Sequence, residues 1–487
     1  MSDDTLGLLI DGRWRSALSG QTAVALSPAT GEQIATVAIG GRDDVRAAIA
    51  AARAAAERWA AVSAFERAAR MHAVADVIQS RREQLARTLT LDQGKPLHAE
   101  AYAEVDELIQ YWRMAAEDAK RLGGELANSL QASSRALLLR RPRGVIGVIT
   151  PWNWPYTMPA ELIAPALACG NTAVWVPAPS TSVCAVQLAR AIADAELPPG
   201  VLNLICGPGP VVGDELARNP GTDGIAFIGS TATGRQVAAA AAGKALVLEM
   251  GGNGPLVVLE DADLEAAVQG ALTACFLCAG QSCTAGERLL VHSSVVERFA
   301  AALTAAVRER VVLGDPFAPD TTMGPLNNEA VAAKMDAHVA DAIAAGARPL
   351  CGGRRADGFP TALYWQPTVL ADVPPSSLVA REETFGPVAP IVTIDSLEQA
   401  IALANDSPYG LLASIYTADL QRGLEFAERV RSGWVNINES TNYWEPQLPF
   451  GGRSGSASGI GRVGGAHVMH AFTEPQTIVI SPGRRGA

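Results

Sequence analysis

No run of apolar residues in this chain reaches the ~18–20 that a membrane span needs. The best candidate, 164–176, is broken by Pro165, Gly170 and Asn171. Met1-Ser2-Asp3-Asp4 is acidic and lacks the basic-then-apolar order of a signal peptide, so no membrane partner and a cytoplasmic location are expected. Positive charge is also short. Against 50 Asp and Glu stand 39 Lys and Arg, a net charge of −11, which argues against nucleic acid or an anionic surface as the main partner. Cysteine is sparse: seven residues, at 169, 184, 206, 275, 278, 283 and 351. No pair combines zinc or redox spacing with partner ligands, and the six histidines form no HExxH-like cluster. Neither a metal nor a disulfide framework is expected. Cys275 and Cys278 make a CxxC inside an apolar helical pattern and read as core thiols.

What is present suits a large globular protein. The 487 residues, 48% hydrophobic and 18% charged, allow about three domains of ~150 residues. Segments 43–60 and 63–91 read as helices, the second opened by a capping box of Ser63 and Glu66. From Arg143 the texture changes. Short apolar strands at 145–150, 172–176, 201–206, 224–228 and 245–249 alternate with helices such as 182–195 and 211–218. That alternation indicates a parallel sheet, whose ligands lie at the carboxyl ends of its strands. A second α/β run starts near Asp261, with helices at 264–278 and 294–310 and strands near 389–394, 411–416 and 434–438. The Gly/Ser-rich stretch 450–465 reads as a loop lining a site. A last apolar strand, 477–480, has no local partner and is expected to find one in another subunit. With no repeat and no low-complexity linker, the domains are expected to interlock.

Five segments carry chemistry-bearing residues, and each also has a plain structural reading. Gly280-Gln281-Ser282-Cys283-Thr284 puts a thiol just after a glycine that permits a tight turn; it also fits a buried structural Cys. Pro151-Trp152-Asn153-Trp154-Pro155 makes a rigid strand exit in which Asn153 can direct an amide N–H at a developing oxyanion, or the aromatics merely cap the core. Glu249, followed by Met250-Gly251-Gly252, ends a strand where parallel sheets build sites. Burial would lift its pKa into the range of a general base, although an N-cap or surface carboxylate is the alternative. Gly229-Ser230, between a strand and a helix, offers backbone N–H groups to a pyrophosphate. It is not a P-loop, because Arg235-Gln236 stands where Lys-Ser/Thr is required, and Gly207–Gly213 is no clean GxGxxG. Glu382-Glu383-Thr384-Phe385-Gly386-Pro387 supplies a carboxylate for ribose hydroxyls and an aromatic for a nicotinamide face, or is an acidic loop.

In this order and spacing the segments resemble the aldehyde dehydrogenase superfamily, non-acylating and NAD(P)-dependent. The likeness runs from Ile10-Asp11-Gly12-Arg13-Trp14 to Pro449-Phe450-Gly451-Gly452. It implies an α/β fold with a Rossmann-like cofactor domain (1–123 and 143–255), an α/β catalytic domain (256–469) and a small β oligomerisation arm (124–142 and 470–487). It further implies oxidation of a small-molecule aldehyde to the acid with NAD or NADP, in a homodimer or homotetramer. By resemblance Cys283 is the nucleophile, Asn153 and the Cys283 N–H form the oxyanion hole, and Glu249 activates the deacylating water. Glu383 and Phe385 position the nicotinamide riboside and Ser230 binds the pyrophosphate. Gly209 and Gly229 admit the dinucleotide, and Trp152 lines its cleft. Tyr156, Glu161 and Trp444 are expected to line the aldehyde tunnel.

Two departures bear on the partners. Where relatives carry Lys-Pro-(Ser/Ala)-Glu, this chain has Val176-Pro177-Ala178-Pro179. Both polar contacts to the adenosine ribose are gone, so NAD and NADP stay equally open and weaker adenosine binding is expected. Glu161 stands where succinate-semialdehyde enzymes tend to carry Arg. It disfavours an anionic tail if it faces the tunnel, and is neutral on that point if it turns to solvent or pairs with an Arg. Two other readings exist: a CoA-acylating semialdehyde dehydrogenase, in which the water-activating Glu is typically absent, and a silent binding relative, which should have lost Cys283, Asn153 or Glu249.

Overall fold

A computed structural model describes residues 5–482; the acidic residues 1–4 and the last part of the expected arm, 483–487, lie outside the described residues. Two large sheets dominate. The first has eight strands in the order Gly459–Ile460, Ala245–Glu249, Gly224–Ile228, Val145–Ile149, Thr172–Val176, Leu202–Leu204, Leu8–Ile10 and Arg13–Arg15. Its five central strands run parallel. The near-continuous apolar runs Gly224–Ile228 and Thr172–Val176 are buried at every position, as a sheet covered on both faces requires. The chain enters this core at Val145–Ile149, builds outward through Thr172–Val176, then crosses back to Gly224–Ile228 on the other side. The order therefore reverses between Val145–Ile149 and Gly224–Ile228, and the crevice beyond their carboxyl ends is where such a sheet receives a ligand.

The second sheet has seven strands: Arg348–Cys351, Thr368–Ala371, Val388–Ile394, Arg288–His292, Pro255–Val258, Leu412–Tyr416 and Trp434–Ile437. All of its pairings are parallel except the first, between Arg348–Cys351 and Thr368–Ala371. Each large sheet has its own buried apolar cluster, and the cleft lies between them. Among the described residues no helix is long and apolar enough to cross a membrane.

Three local expectations need correction. The stretch 63–91 is two helices, Ala64–Ser80 and Arg82–Gln93, because Arg81 leaves helical geometry at φ −107°. Its capping box is as read: Ser63 Oγ accepts from Glu66 N at 3.2 Å while Glu66 Oε2 accepts from Ser63 N at 3.2 Å. The helix expected to run to Cys278 stops at Phe276, since Cys278 and Ala279 adopt φ of 53° and 52°. The last strand is longer than read, Thr473–Ile480, and pairs within its own chain, antiparallel to Arg135–Pro142 over its whole length. Its partner lies more than 300 residues earlier in the sequence, beyond any local pattern. With Glu125–Ala127 these two strands form a small separate sheet, in which Thr473–Ile480 is an edge.

Candidate active site

The strand Ala245–Glu249 ends on Glu249, 3% exposed, whose Oε1 is buried without a hydrogen-bond partner. The Gly/Ser-rich segment read as a loop lining a site buttresses this strand. Gly459 pairs with Glu249, and Ser458 Oγ donates to Gly251 O at 2.6 Å. After Glu249 the backbone must pass close beneath the next loop. A Cβ on Gly252 would lie 2.1 Å from Cys283 O, so only glycine brings the Glu249 strand exit against the Cys283 loop.

Cys283 follows a short 3-10 turn, Leu277–Gly280, in which Cys278, Ala279 and Gly280 all take positive φ. At Gly280, φ is 70° and a Cβ would meet Gly386 O at 2.1 Å, so the position needs glycine on both counts. The turn halts the preceding helix and lifts Cys283 into the cleft. Five of the other thiols are buried, and Cys351 is half-buried against Pro367 O. Burial, reinforced by Glu249, holds the Cys283 thiol well above its ordinary pKa. Burial likewise holds Glu249 far above the carboxylate range, and the hydrogen bond from Cys283 offsets part of that shift. Two groups so close cannot both ionise freely, so they titrate as a pair.

Asn153, 3% exposed, donates from Nδ2 to Gln281 O at 3.0 Å. A primary amide carries two N–H donors, so one remains for the cavity that Asn153 lines. Cys283, Glu249 and Asn153 thus share one cavity of about 170 Å³.

The other side of that cavity gathers most of the residues read as cofactor contacts. Gly229 and Ser230 line it where Gly224–Ile228 gives way to the helix Thr231–Ala240. Ser230 is the helix N-cap, accepting from Thr233 N at 3.3 Å, and it borders the cavity, which places the positive helix end where a pyrophosphate is favoured. Glu383 Oε1 accepts from Gly252 N at 2.9 Å. Phe385, at φ 61°, sets its ring edge-on to Trp152 with centroids 5.6 Å apart. Gly209 sits at the exposed start of Gly209–Arg218, where an added Cβ would meet nothing within 4 Å, and does not border the cavity. Val176 closes its strand in the core and Pro179 is exposed at the start of a short 3-10 turn; neither offers a polar group to an adenosine.

None of the three residues read as tunnel lining borders that cavity. Tyr156 is fully buried, its hydroxyl donating to Leu85 O at 3.2 Å. It sits at the start of the helix Thr157–Ala168 and its ring packs into the core rather than the cavity. Trp444 is half-buried and contacts the rings of Trp154 and Phe450 at 6.3 and 6.1 Å. Glu161 is neither solvent-facing nor paired with an Arg. It is 8% exposed, pushed up to about 8 by burial and then by Glu107, with Tyr111 as its hydrogen-bond partner. It remains close enough for its charge to act on Glu249 and Cys283.

Sequence reading overlooked three contributors. Met158 lines the cavity one helical turn before Glu161, which a count along the helix would have found. Lys334 reaches it with Nζ 5.9 Å from the Phe385 ring centroid. Glu287, 5% exposed, accepts from Phe385 N at 2.6 Å and Thr384 N at 2.8 Å, holding the loop that carries Glu383. Its signal is an acid at the mouth of an apolar strand, which needs partners once buried.

Comparison with known proteins agrees with this geometry. A family model described as the aldehyde dehydrogenase family matches residues 14–478. Succinate-semialdehyde dehydrogenase [NADP(+)] of Escherichia coli is 40% identical over 468 residues, 96% of each chain. Betaine aldehyde dehydrogenase of Bacillus subtilis is 39% identical over 473 residues, 96% of each. Among solved structures, betaine aldehyde dehydrogenase of Staphylococcus aureus in complex with NAD+ superposes with a TM-score of 0.94 at 34% identity, covering 98% of this chain and 95% of that one.

Proposed function

The chain belongs to the aldehyde dehydrogenase family, and from that premise we propose that it oxidises an aldehyde to the free carboxylic acid with NAD(P)+ through a thiohemiacetal and then a thioester on Cys283. The observation that carries this reading is the meeting of Cys283, Glu249 and Asn153 in one cavity whose far wall gathers most of the residues read as cofactor contacts. Cys283, as the thiolate, attacks the carbonyl carbon through sulfur. Asn153 and the Cys283 backbone N–H receive the oxyanion. The bound nicotinamide accepts the hydride from the tetrahedral carbon. Glu249 then takes a proton from water, whose oxygen attacks the thioester and releases the acid and the thiol. Glu383 and the Ser230 helix end would orient the cofactor. The presence of Glu249 against Cys283 favours water over CoA as acyl acceptor.

Substrate choice turns on Glu161. Several of the relatives are named for succinate semialdehyde or glutarate semialdehyde, but an anionic tail brought beside Glu161, whose raised pKa of about 8 leaves it mostly protonated at neutral pH, meets Glu107 and the Tyr111 hydroxyl and no cation to pair with. We infer a neutral, hydroxylated or cationic aldehyde. Because Val176 and Pro179 supply neither the acid that repels a 2′-phosphate nor the lysine that attracts one, both cofactors are expected to serve. A panel of aldehydes with NAD+ and NADP+, without CoA, tests this. Neutral and cationic aldehydes should exceed succinate semialdehyde in kcat/KM by about tenfold, the scale of one electrostatic contact of ~1.4 kcal/mol, and free acid should form. Succinate semialdehyde as the best substrate contradicts the reading.

The edge strand Thr473–Ile480 points to self-assembly. Leu126, Val479 and Ile480 of the small sheet, and Leu130 of the loop between its first two strands, are all more than half exposed, and the strand's outer edge is unpaired among the described residues. We infer that a second copy covers this arm, giving a dimer or tetramer. Light scattering on the eluted protein should give that mass, falling towards the protomer in Val479→Asp/Ile480→Asp. A wild-type monomer at micromolar concentration contradicts it.

A further inference from the structure

The two oxyanion donors of the proposed reaction lie on irregular loops, and what grips both loops is a third segment, residues 93–104. It turns at Gly94, passes through a π-helical turn, Leu97–Ala101, and enters the helix Tyr102–Arg121. π turns are rare, and they re-aim the side chains that follow them. Here two acids, four residues apart, reach in different directions. Glu100, 5% exposed, accepts from Cys278 N at 2.9 Å. Glu104, fully buried, accepts from Tyr156 N at 3.0 Å through Oε1 and from Lys95 Nζ at 2.5 Å through Oε2.

Each acid holds the loop that presents one donor. Cys278 starts the run of positive-φ residues that lifts Cys283 into the cleft, a conformation that persists only where its surroundings enforce it. Tyr156 ends the Pro151-Trp152-Asn153-Trp154-Pro155 exit. Lys95 adds a second hold on that exit, its Nζ 3.2 Å from the Trp154 ring centroid. The two loops are also tied to each other, by Cys278 Sγ to Asn153 O at 3.5 Å and by Asn153 Nδ2 to Gln281 O at 3.0 Å. Burying two acids and an ammonium is costly where packing alone is wanted. Glu100 Oε2 is even left without a partner.

We propose that Glu100 and Glu104 are positioning residues, a two-pronged clasp that fixes the separation of the Asn153 and Cys283 loops and hence the shape of the oxyanion hole. The proposal rests on the roles assigned above to Asn153 and Cys283. At Glu100 it predicts an effect of geometry rather than of charge, because Glu100 acts through one acceptor oxygen on a backbone N–H, whereas Glu104 also pairs with Lys95.

The test compares Glu100→Ala, Glu100→Asp and Glu100→Gln in the full-length enzyme, reading kcat, KM for the aldehyde, cofactor Kd and the rate of Cys283 alkylation by iodoacetamide. Glu100→Ala should lower kcat about 100-fold, the effect of misplacing a reacting group by ~1 Å, with cofactor Kd within about threefold of wild type. Alkylation, which uses no oxyanion hole, should change far less than kcat. Glu100→Gln keeps the acceptor and should restore kcat to within about threefold. Glu100→Asp keeps the charge but shortens the reach, and should still lose about tenfold if Glu100→Ala fails to fold. Full kcat in Glu100→Ala and Glu100→Asp overturns the clasp, as does Glu100→Gln as impaired as Glu100→Ala. Cys283→Ala run in parallel separates the two readings: if it is silent while the Glu100 variants are fully active, only the clasp fails.

Discussion

Cys283→Ala should lose aldehyde-dependent reduction of NAD(P)+ by about 10⁴-fold or more, the scale seen when a covalent nucleophile is removed. None of the other six thiols can substitute: five are buried and the sixth, Cys351, lies on Arg348–Cys351 at the far edge of the second sheet. Thermal stability should change little, because Cys283 is only half-buried and packs at the edge of its cluster. Cofactor binding should also persist, since Ser230, Glu383 and Phe385 are untouched. Cys283→Ser tests the chemistry more finely. It keeps a donor beside Glu249 but has a far weaker nucleophile, and should be nearly as inactive. Wild-type turnover in either variant would remove the mechanism. Coenzyme reduction with aldehyde, followed at 340 nm, is the measurement.

Glu249→Gln should separate the two halves of the reaction. Attack by Cys283 and hydride loss can still occur once per site, but no carboxylate remains to activate water. The expected trace is a burst of about one reduced cofactor per site, then turnover slowed ~10²–10⁴-fold, the range for loss of a general base. The same variant has a pH signature. Glu249 is the leading neighbour that raises the Cys283 thiol, so removing its charge moves the thiol pKa down. At a fixed pH between the two thiol values the variant holds more thiolate, and iodoacetamide should modify Cys283 faster than in wild type. In wild type, both working forms are deprotonated, and burial raises both groups above their ordinary values. The rate should therefore rise with pH and be lost as pH falls through those raised values, well above the usual carboxylate range. Steady state without a burst in Glu249→Gln, or slower alkylation than wild type, contradicts this part of the account.

The parallel strands of the first sheet were legible because they are short, largely buried apolar runs separated by helices, and the site residues because strand ends and glycine turns cluster where such sheets bind ligands; Pro255–Val258, Arg288–His292 and Thr368–Ala371 of the second sheet were not read. Gly252 shows why the motif after Glu249 needs its glycine: the Cys283 carbonyl occupies the space of a side chain. Contacts between distant segments were not legible. The strand Thr473–Ile480 seemed to lack a partner because Arg135–Pro142 lies far away in sequence. Tyr156 was read as an aromatic of the tunnel lining, yet the turn into the helix Thr157–Ala168 carries its ring into the core. Glu100 and Glu104 gave no signal, and that of Glu287, an acid at the mouth of an apolar strand, is faint. Each looks like an ordinary acid until the fold buries it against a loop backbone.

The central claim is a thioester on Cys283, and mass analysis of Glu249→Gln tests it most directly. The variant is incubated with a good aldehyde and oxidised cofactor, quenched in acid and digested. The account predicts one adduct, on the peptide that contains Cys283, heavier by the mass of the aldehyde less two hydrogens and released by hydroxylamine. An unmodified Cys283 peptide after a full burst, or the adduct on another cysteine, would contradict it.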